Sequence, residues 1–187
     1  MSDFEYISVL LSIILGLAIT QLLSGIARLI RDGRRLAPAW WVMVIVATLL
    51  LADFQVWWAS FEWRHIQGWN FFNYAAFMVL PMLLYLLAYL VLPENLRLDG
   101  RELANEFIQR RRMFYGIMML VPLASFLQQH LFGASLPLDL DTGVRLLWLA
   151  LSIPGFLSRR VLVQASLAVT FALTMVAYIC LLFVHLR

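Results

Sequence analysis

The chain contains six runs of apolar residues, and each is close to the length that a helix needs to cross a lipid bilayer. A bilayer core of about 30 Å requires about 20 such residues in an α-helix. The backbone polar groups of a spanning segment must bond to one another, which favours helices. The sequence therefore predicts an all-α, polytopic membrane helix bundle with six spans, at residues 6–29, 38–60, 70–92, 113–132, 144–157 and 161–186.

The composition agrees with a membrane protein. Of the 187 residues, 63% are hydrophobic and 13% are charged, whereas soluble domains are about 45–50% apolar and about 25% charged. This excludes an ordinary soluble enzyme, and we interpret residues 1–187 as a single integral membrane domain. The fifth run has about 14 residues, or about 21 Å of helix, so the fifth span is predicted to be short and tilted, broken or re-entrant.

Residues 93–112 are the one stretch with soluble character. Asp99 and Glu102 have the spacing of a capping box, which starts a helix. Leu103 and Phe107 then begin an apolar stripe at helical spacing. We expect a cytoplasmic loop or amphipathic helix that leads into the fourth span.

The positions of the arginines predict the orientation of the chain. All 14 basic residues are arginines, and 11 of them lie in the loops after the first, third and fifth spans. Because basic residues concentrate on the cytoplasmic side of membrane proteins, both termini should lie on the non-cytoplasmic side. We interpret the membrane as a bacterial cytoplasmic (inner) membrane.

Several chemistries are excluded by residues that the sequence lacks. Without a lysine the chain cannot form a Schiff base. With Cys180 as the only cysteine it cannot form an internal disulfide or a CxxC redox pair. The arginines are scattered between apolar runs and form no basic face for nucleic acid. No nucleophile–base motif or phosphate-binding glycine loop is present, so the sequence does not predict an enzyme.

Six spans also allow a 3+3 inverted repeat, in which spans one to three and four to six run in opposite directions. The segment Ala18–Gly25 is loosely similar to Ala124–Gly133 once a gap is allowed. Transporters with such repeats place the substrate site at the interface between the two halves. Chance similarity is the alternative interpretation.

Small residues occupy every fourth position of the first span, which places them on one helix face. They are Ser8, Ser12, Gly16, Thr20 and Ser24. In lipid, small-xxx-small stripes let helices approach closely, so this face is predicted to pack against another span or against a second copy of the chain. A polar pore lining is the alternative.

Polar residues gather in the halves of the spans that are predicted to lie outermost. Asp53 is the only carboxylate well inside a span, and a charge there usually marks a functional site or a specific partner. Together with Gln128, Gln129, His130 and Arg145, it is predicted to line a polar vestibule.

These charged residues also have a purely structural interpretation. Asp53 would then be hydrogen-bonded beneath the membrane interface, beside Arg64 or Arg145. Arg145 would instead pair with Asp141, which lies four residues earlier and therefore on the same helix face.

Prolines lie inside three of the predicted spans, at Pro81, Pro122 and Pro154, and Gly155 follows the last of them. A proline removes a helical hydrogen bond and frees a backbone carbonyl, and transporters use broken helices to line substrate sites. Ordinary kinks are the alternative, because membrane helices tolerate proline.

The three histidines, His65, His130 and His185, all fall at the predicted outer ends of spans. With a carboxylate they could ligate zinc, copper or haem if the spans bring them together. No HxxxH or HxxE pair is present, and interfacial side chains commonly just extend to water. No cofactor is predicted, and a metal site is kept as an alternative.

Arg110, Arg111 and Arg112 mark the predicted inner edge of the fourth span. Each arginine near a membrane surface attracts anionic lipid by about 1 kcal/mol, so an anionic headgroup is a candidate partner. The concentration of basic residues on the cytoplasmic side explains the same run without a ligand.

These features together predict a multi-pass membrane protein whose homo-oligomer forms a pathway for a small solute or an ion, with proton coupling as an option. The alternative is a non-catalytic membrane scaffold, sensor or assembly factor, which the small-residue stripe supports. A metal- or cofactor-binding membrane protein that uses the outer histidines is the second alternative.

Overall fold

The computed structural model describes residues 3–31, 37–66, 68–92, 99–132 and 139–182, and every regular element in these ranges is helical. The α-helices are α1 (Asp3–Arg31), α2 (Trp40–Ser60), α3 (Phe71–Val91), α4 (Gly100–Leu131), α5 (Leu140–Leu157) and α6 (Val161–Leu182). Short 3₁₀ helices, Ala37–Ala39 and Phe61–His65, flank α2. The all-α prediction is confirmed; the predicted end of the sixth span, at residue 186, lies outside the described residues.

Five of the described helices, α1, α2, α3, α5 and α6, are long and apolar enough to cross a membrane. An integral membrane protein with several spans is therefore supported. The remaining helix, α4, is the longest, with 32 residues, but it does not meet the same criterion of apolar content. The prediction of six spans is thus not confirmed by length and composition.

Side-chain caps explain where α4 begins. The Asp99 carboxylate accepts hydrogen bonds from the backbone N–H groups of Arg101 and Glu102, at 2.8 and 2.9 Å. The Glu102 carboxylate accepts one from the Asp99 N–H at 2.7 Å. This is the capping box that the sequence predicts, and it satisfies N–H groups that have no partner inside the helix.

The fifth span differs from its prediction. Asp139 caps α5 by accepting the Thr142 backbone N–H at 2.9 Å, so the helix begins at residue 140 and not at 144. It has 18 residues, or about 27 Å of helix, and it continues through Pro154. The predicted start at residue 144 and the predicted break at Pro154 are wrong, because the capping signal at Asp139 lies before the apolar run and the helix continues through the proline. At 18 residues, α5 is still the shortest of the six described α-helices.

The helices pack as a ring in the order α1, α3, α4, α5, α6, α2, and α2 then contacts α1. A further contact between α2 and α3 crosses this ring. The α2–α3 contact divides the ring into two parts. The helices α1, α2 and α3 form the smaller part, and α2, α3, α4, α5 and α6 enclose the larger one. The larger part is the one with room for a site between helices.

The ring does not have the symmetry of the predicted 3+3 inverted repeat. Such a repeat would make the α4–α6 pair equivalent to the α1–α3 pair. The helices α1 and α3 pack closely, whereas α4 and α6 have little backbone contact. The repeat is not confirmed, and Gly133, the last residue of its second segment, lies outside the described residues.

A buried glutamine joins α4, α5 and α6 at the end where α5 turns into α6. The Gln164 oxygen accepts a hydrogen bond from the Tyr115 hydroxyl at 2.8 Å. Its amide N–H groups donate to the carbonyl oxygens of Gly155 and Ser158, at 3.0 and 2.8 Å. We call these four residues the Gln164 clamp. Its glycine is required by packing, since a Cβ at Gly155 would overlap the Tyr115 ring.

Candidate functional site

A cavity of about 200 Å³ lies in the larger part of the ring, between α2, α3, α4, α5 and α6. It lies toward the end of the bundle at which α2, α4 and α6 terminate, which we call the cavity end. Many of its lining residues are apolar, as in other ligand sites. Its polar and charged lining residues include Gln55, Glu62, Ser125, Gln129, Asp141 and Arg145.

The strongest polar interactions at the cavity join α5 to α6. Arg145 donates from Nε to Asp141 Oδ1 at 3.1 Å, and its Nη2 forms a second bond to Oδ2 of the same carboxylate. The Tyr178 hydroxyl donates to Asp141 Oδ1 at 2.5 Å. The pairing of Arg145 with Asp141, which was the structural alternative, is confirmed. An ion pair with a hydrogen-bonded carboxylate offsets part of the cost of burying both charges.

Two buried polar atoms at this cavity have no partner among the described residues. They are Nη1 of Arg145 and Oε1 of Gln129. Both side chains line the cavity, and one atom can only donate whereas the other can only accept. A buried group left without a hydrogen bond costs about 1–3 kcal/mol, so a ligand that supplied an acceptor and a donor would be stabilised here.

Gln128 also lines the cavity, but its amide nitrogen is engaged with α3. Pro81 has no N–H, so it leaves the Phe77 carbonyl without its usual helical partner. The Gln128 side chain donates to the Phe77 oxygen at 3.3 Å and to the Ala76 oxygen at 3.0 Å. Gln128 therefore satisfies the carbonyl that the proline frees, and it ties α4 to α3.

Aromatic rings close the cavity end. Trp63 and Phe77 line the cavity and lie 6.1 Å apart between ring centroids. Phe132 lies 4.6 Å from Trp63 and 5.1 Å from Trp69. Such edge-on and tilted ring contacts are favourable, and they attach the Phe61–His65 3₁₀ helix to α3 and α4.

The structure places neither Asp53 nor His130 in the cavity that Gln128, Gln129 and Arg145 line. Asp53 is 1% exposed, and neither carboxylate oxygen has a hydrogen-bond partner in the described ranges. Its neighbours Ala52 and Val56 line the cavity, but Asp53 does not. The carboxyl group is thus buried beside the cavity wall, and its predicted pairing with Arg64 or Arg145 is not present.

The metal hypothesis requires His65, His130 and His185 to meet, and the structure describes only the first two. His65 and His130 are exposed, and neither lines the cavity. His185 lies outside the described residues. Among the residues that the structure does describe, no cluster of three or more His, Cys, Asp or Glu side chains could hold a metal ion. A zinc, copper or haem site stays an untested alternative.

The small-residue stripe of α1 faces away from the rest of the chain. Ser12, Gly16, Thr20 and Ser24 are exposed and Ser8 is half-buried. The Thr20 hydroxyl bonds its own preceding turn, at the Gly16 oxygen, and Ser12 accepts a hydrogen bond from the Trp57 indole at 3.3 Å. The buried face of α1 is instead apolar, and most of its residues are leucine or isoleucine: Ile7, Leu11, Leu15, Ala18, Leu22, Gly25 and Leu29.

Sequence reasoning missed several lining residues. Tyr178 and Trp148 form the α5–α6 wall, with ring centroids 5.4 Å apart, and Trp148 donates to Thr174 at 2.9 Å. The available signal was that Tyr178 and Asp141 lie at similar depths on consecutive spans. Gln55 carried no such signal, because only the rotation of α2 shows that it faces the cavity and Asp53 does not.

No protein-family model, curated protein or solved structure matches the chain. What the cavity can bind is therefore inferred from its own residues.

Proposed function

We propose that the protein forms a membrane pathway for a small polar solute and that the cavity is its binding site. The observation that carries this proposal is the pair of unsatisfied buried atoms, Arg145 Nη1 and Gln129 Oε1, on side chains that line one cavity. Buried polar groups in membrane proteins are costly and usually functional. A solute that bonds both atoms supplies what the folded chain lacks.

The size and polarity of the cavity limit the solute. An engineered apolar cavity of about 150 Å³ accepts benzene, so a cavity of about 200 Å³ suits a solute of about six to ten non-hydrogen atoms. The solute needs an oxygen or an anionic group for Arg145 and an N–H or O–H group for Gln129. Small zwitterions and small amides meet both requirements.

The proposal includes α4 as a sixth span. α4 packs between α3 and α5, which are both apolar enough to cross a membrane. Its Ser125, Gln128 and Gln129 line the cavity, and polar residues turned toward a cavity lower the apolar content of a spanning helix without exposing them to lipid. The inverted repeat is not included, because the helix packing lacks its symmetry.

The proposed orientation places the cavity end on the non-cytoplasmic side of a bacterial inner membrane, as the distribution of arginines favours. Cysteine labelling in whole cells tests it. In a Cys180→Ser background, His65→Cys should react with a membrane-impermeant maleimide in intact cells. Arg160→Cys, in the exposed turn between α5 and α6, should react only after lysis. The reverse pattern would contradict the orientation.

Solute flux into proteoliposomes tests the pathway itself. Vesicles with the wild-type chain should swell faster than protein-free vesicles in glycine or urea. Arg145→Gln and Gln129→Leu should each slow this flux about tenfold or more. Each substitution removes one of the two groups that form hydrogen bonds to the solute. Arg64→Gln is the matched control, since Arg64 lies at the same end but does not line the cavity. Equal swelling with and without protein would refute the pathway.

Proton coupling through Asp53 is a separable part of the proposal. A carboxyl group buried without a partner is costly, and a proton or a coupled cation would supply the partner. Asp53→Asn should therefore abolish solute accumulation driven by a pH gradient while downhill exchange continues. If accumulation in the variant matched the wild type, Asp53 would have no part in coupling.

The second candidate function is a membrane scaffold that acts as a homo-oligomer. The observation in its favour is that α1 exposes Gly16, Thr20 and Ser24, and nothing in the described part of the chain lies near a Cβ built at Gly16. A second copy packed on this face would be disrupted by Gly16→Leu. Light scattering of the detergent-solubilised protein should then show a smaller assembly, whereas an unchanged mass would count against the oligomer.

A further inference from the structure

Arginines from two segments meet at the end of the bundle opposite the cavity. Arg111 and Arg112 belong to α4, and Arg159 belongs to the turn between α5 and α6. The Arg112 guanidinium carbon lies 5.8 Å from the centre of the Phe156 ring on α5. The Gln164 clamp ties Ser158 to Tyr115, one helical turn from Arg111, and this places the neighbouring Arg159 at the same end of the bundle. We call Arg111, Arg112 and Arg159 the arginine cluster.

Arg111 has a buried hydrogen-bond donor that no described residue satisfies. The residue is 3% exposed. Its Nη1 donates to the Ile108 oxygen at 2.9 Å, whereas its buried Nε has no hydrogen-bond partner among the described residues. Burying a charge without an opposite charge is costly. The cluster is therefore incomplete without an anion.

No carboxylate in the described part of the chain neutralises the cluster. Arg110 is paired with Glu106 at 2.6 Å, but Arg111, Arg112 and Arg159 form no ion pair there. The first turn of α6 contains no acidic residue, so the positive end of that helix dipole adds to the same field. The positive charges of the cluster therefore favour an anionic ligand.

We propose that the arginine cluster binds the phosphate of an anionic phospholipid headgroup. Guanidinium groups bind phosphate oxygens through paired N–H donors, and basic pockets between membrane helices bind such headgroups. Large apolar side chains lie exposed at the same level, Met113 on α4, Leu157 on α5 and Leu162 on α6, with exposures of 61, 65 and 85%. They offer contacts to acyl chains, which a free phosphate lacks.

The structure thus changes the ligand set that sequence spacing indicates. Arg110 belongs to the run of three arginines but is engaged with Glu106. Arg159 lies far away in sequence, but the Gln164 clamp brings the turn that carries it to α4. A purely topological role would make the four arginines equivalent, whereas a binding site makes Arg110 differ from the other three.

Lipid titration of the full chain in a neutral detergent tests the proposal, with melting temperature as the readout. The added probes are phosphatidylglycerol, phosphatidylcholine and inorganic phosphate. Phosphatidylglycerol should raise the melting temperature in a saturable manner, and the other two probes should not. Arg111→Gln and Arg159→Gln should each weaken the apparent affinity about fivefold, the equivalent of about 1 kcal/mol for one arginine. Arg110→Gln should leave it within about twofold.

Each other outcome decides against some part of the proposal. Equal stabilisation by phosphatidylcholine, or equal loss of affinity in Arg110→Gln and Arg159→Gln, would overturn the site. Stabilisation by inorganic phosphate as large as that by phosphatidylglycerol would overturn the lipid as the occupant and assign a free phosphate. If Arg111→Gln does not fold, Arg159→Gln carries the same test, since Arg159 is exposed and lies outside the helices.

Discussion

The two ends of α5 hold buried polar groups in opposite ways. At its C-terminal end, the Gln164 clamp uses both the oxygen and the nitrogen of the Gln164 amide in hydrogen bonds. At its N-terminal end, Arg145 and Gln129 each keep a buried atom without a partner in the described residues. Since an unpaired buried group is costly, the clamp side chains satisfy one another on folding, whereas the cavity end keeps a buried donor and a buried acceptor that the described part of the fold leaves unsatisfied.

The same contrast is present in the packing. At the clamp, Gly155 brings the α5 backbone against the Tyr115 ring with no space for a Cβ. At the other end, the helices enclose about 200 Å³. Close packing restrains helix motion, and a void permits a guest. The comparison indicates that α4, α5 and α6 are held together firmly at one end so that a site can stay open at the other.

The largest effect should come from filling the space at the clamp. Gly155→Val would force the Tyr115 ring away and should destabilise the chain by about 3 kcal/mol or more, at the upper end of overpacking costs. Gly16→Val is the matched control, because no atom of the residues that the structure describes lies near a Cβ at Gly16. Thermal unfolding in detergent measures both, and equal changes in melting temperature would refute the close contact.

The same substitution at the two ends should then have opposite consequences. Gln164→Leu leaves the Tyr115 hydroxyl and two backbone carbonyls without partners, so it should cost about 1–3 kcal/mol of stability. Gln129→Leu removes an atom that is already unpaired, so it should leave stability unchanged or raise it while solute binding is lost. If the two variants lost the same amount of stability, the claim that Gln164 serves folding and Gln129 serves binding would be wrong.

A smaller effect tests whether Gln128 belongs with the clamp or with the site. If Gln128 serves the carbonyl that Pro81 frees, Gln128→Leu should cost about 1 kcal/mol in the wild type. In a Pro81→Ala background the Phe77 carbonyl regains a helical donor, and the cost should shrink. This double-mutant cycle isolates the coupling of the two residues, and simple additivity would show that the two are independent.

The parts of this structure that the sequence predicts are those set by local spacing. Apolar runs define the helices, since each run must satisfy its own backbone in lipid. The capping box at Asp99 and the Asp141–Arg145 pair also follow from residues three and four positions apart. Each of these needs only a single helix to be known.

The candidate site could not be predicted in the same way, because it depends on how helices rotate and on which helices meet. Asp53 and Gln55 are two residues apart on α2, but only Gln55 lines the cavity. Tyr178 meets Asp141 because α6 packs on α5. The stripe on α1 was expected to pack against another span or a second copy, but within the described chain leucines and an isoleucine make up most of the buried face. Bulk apolar contact therefore decided the helix rotation.

The smallest predicted effect is a pH dependence that belongs to the cavity end alone. The Thr142 backbone N–H bonds the exposed Asp139 carboxylate and holds its pKa below the usual range. Because the folded-state pKa of Asp139 is lowered, the carboxylate stabilises the folded chain at pH values above its unfolded pKa of about 3.9. This stabilisation is lost as the pH falls through the folded pKa.

Asp139→Ser keeps a capping oxygen but cannot titrate, so its melting temperature should approach that of the wild type below about pH 4. The deficit of Gln164→Leu should not change over the same range, since the clamp contains no carboxyl group. If the deficit of Asp139→Ser were constant with pH, its cause would be lost packing and not the carboxylate at the start of α5.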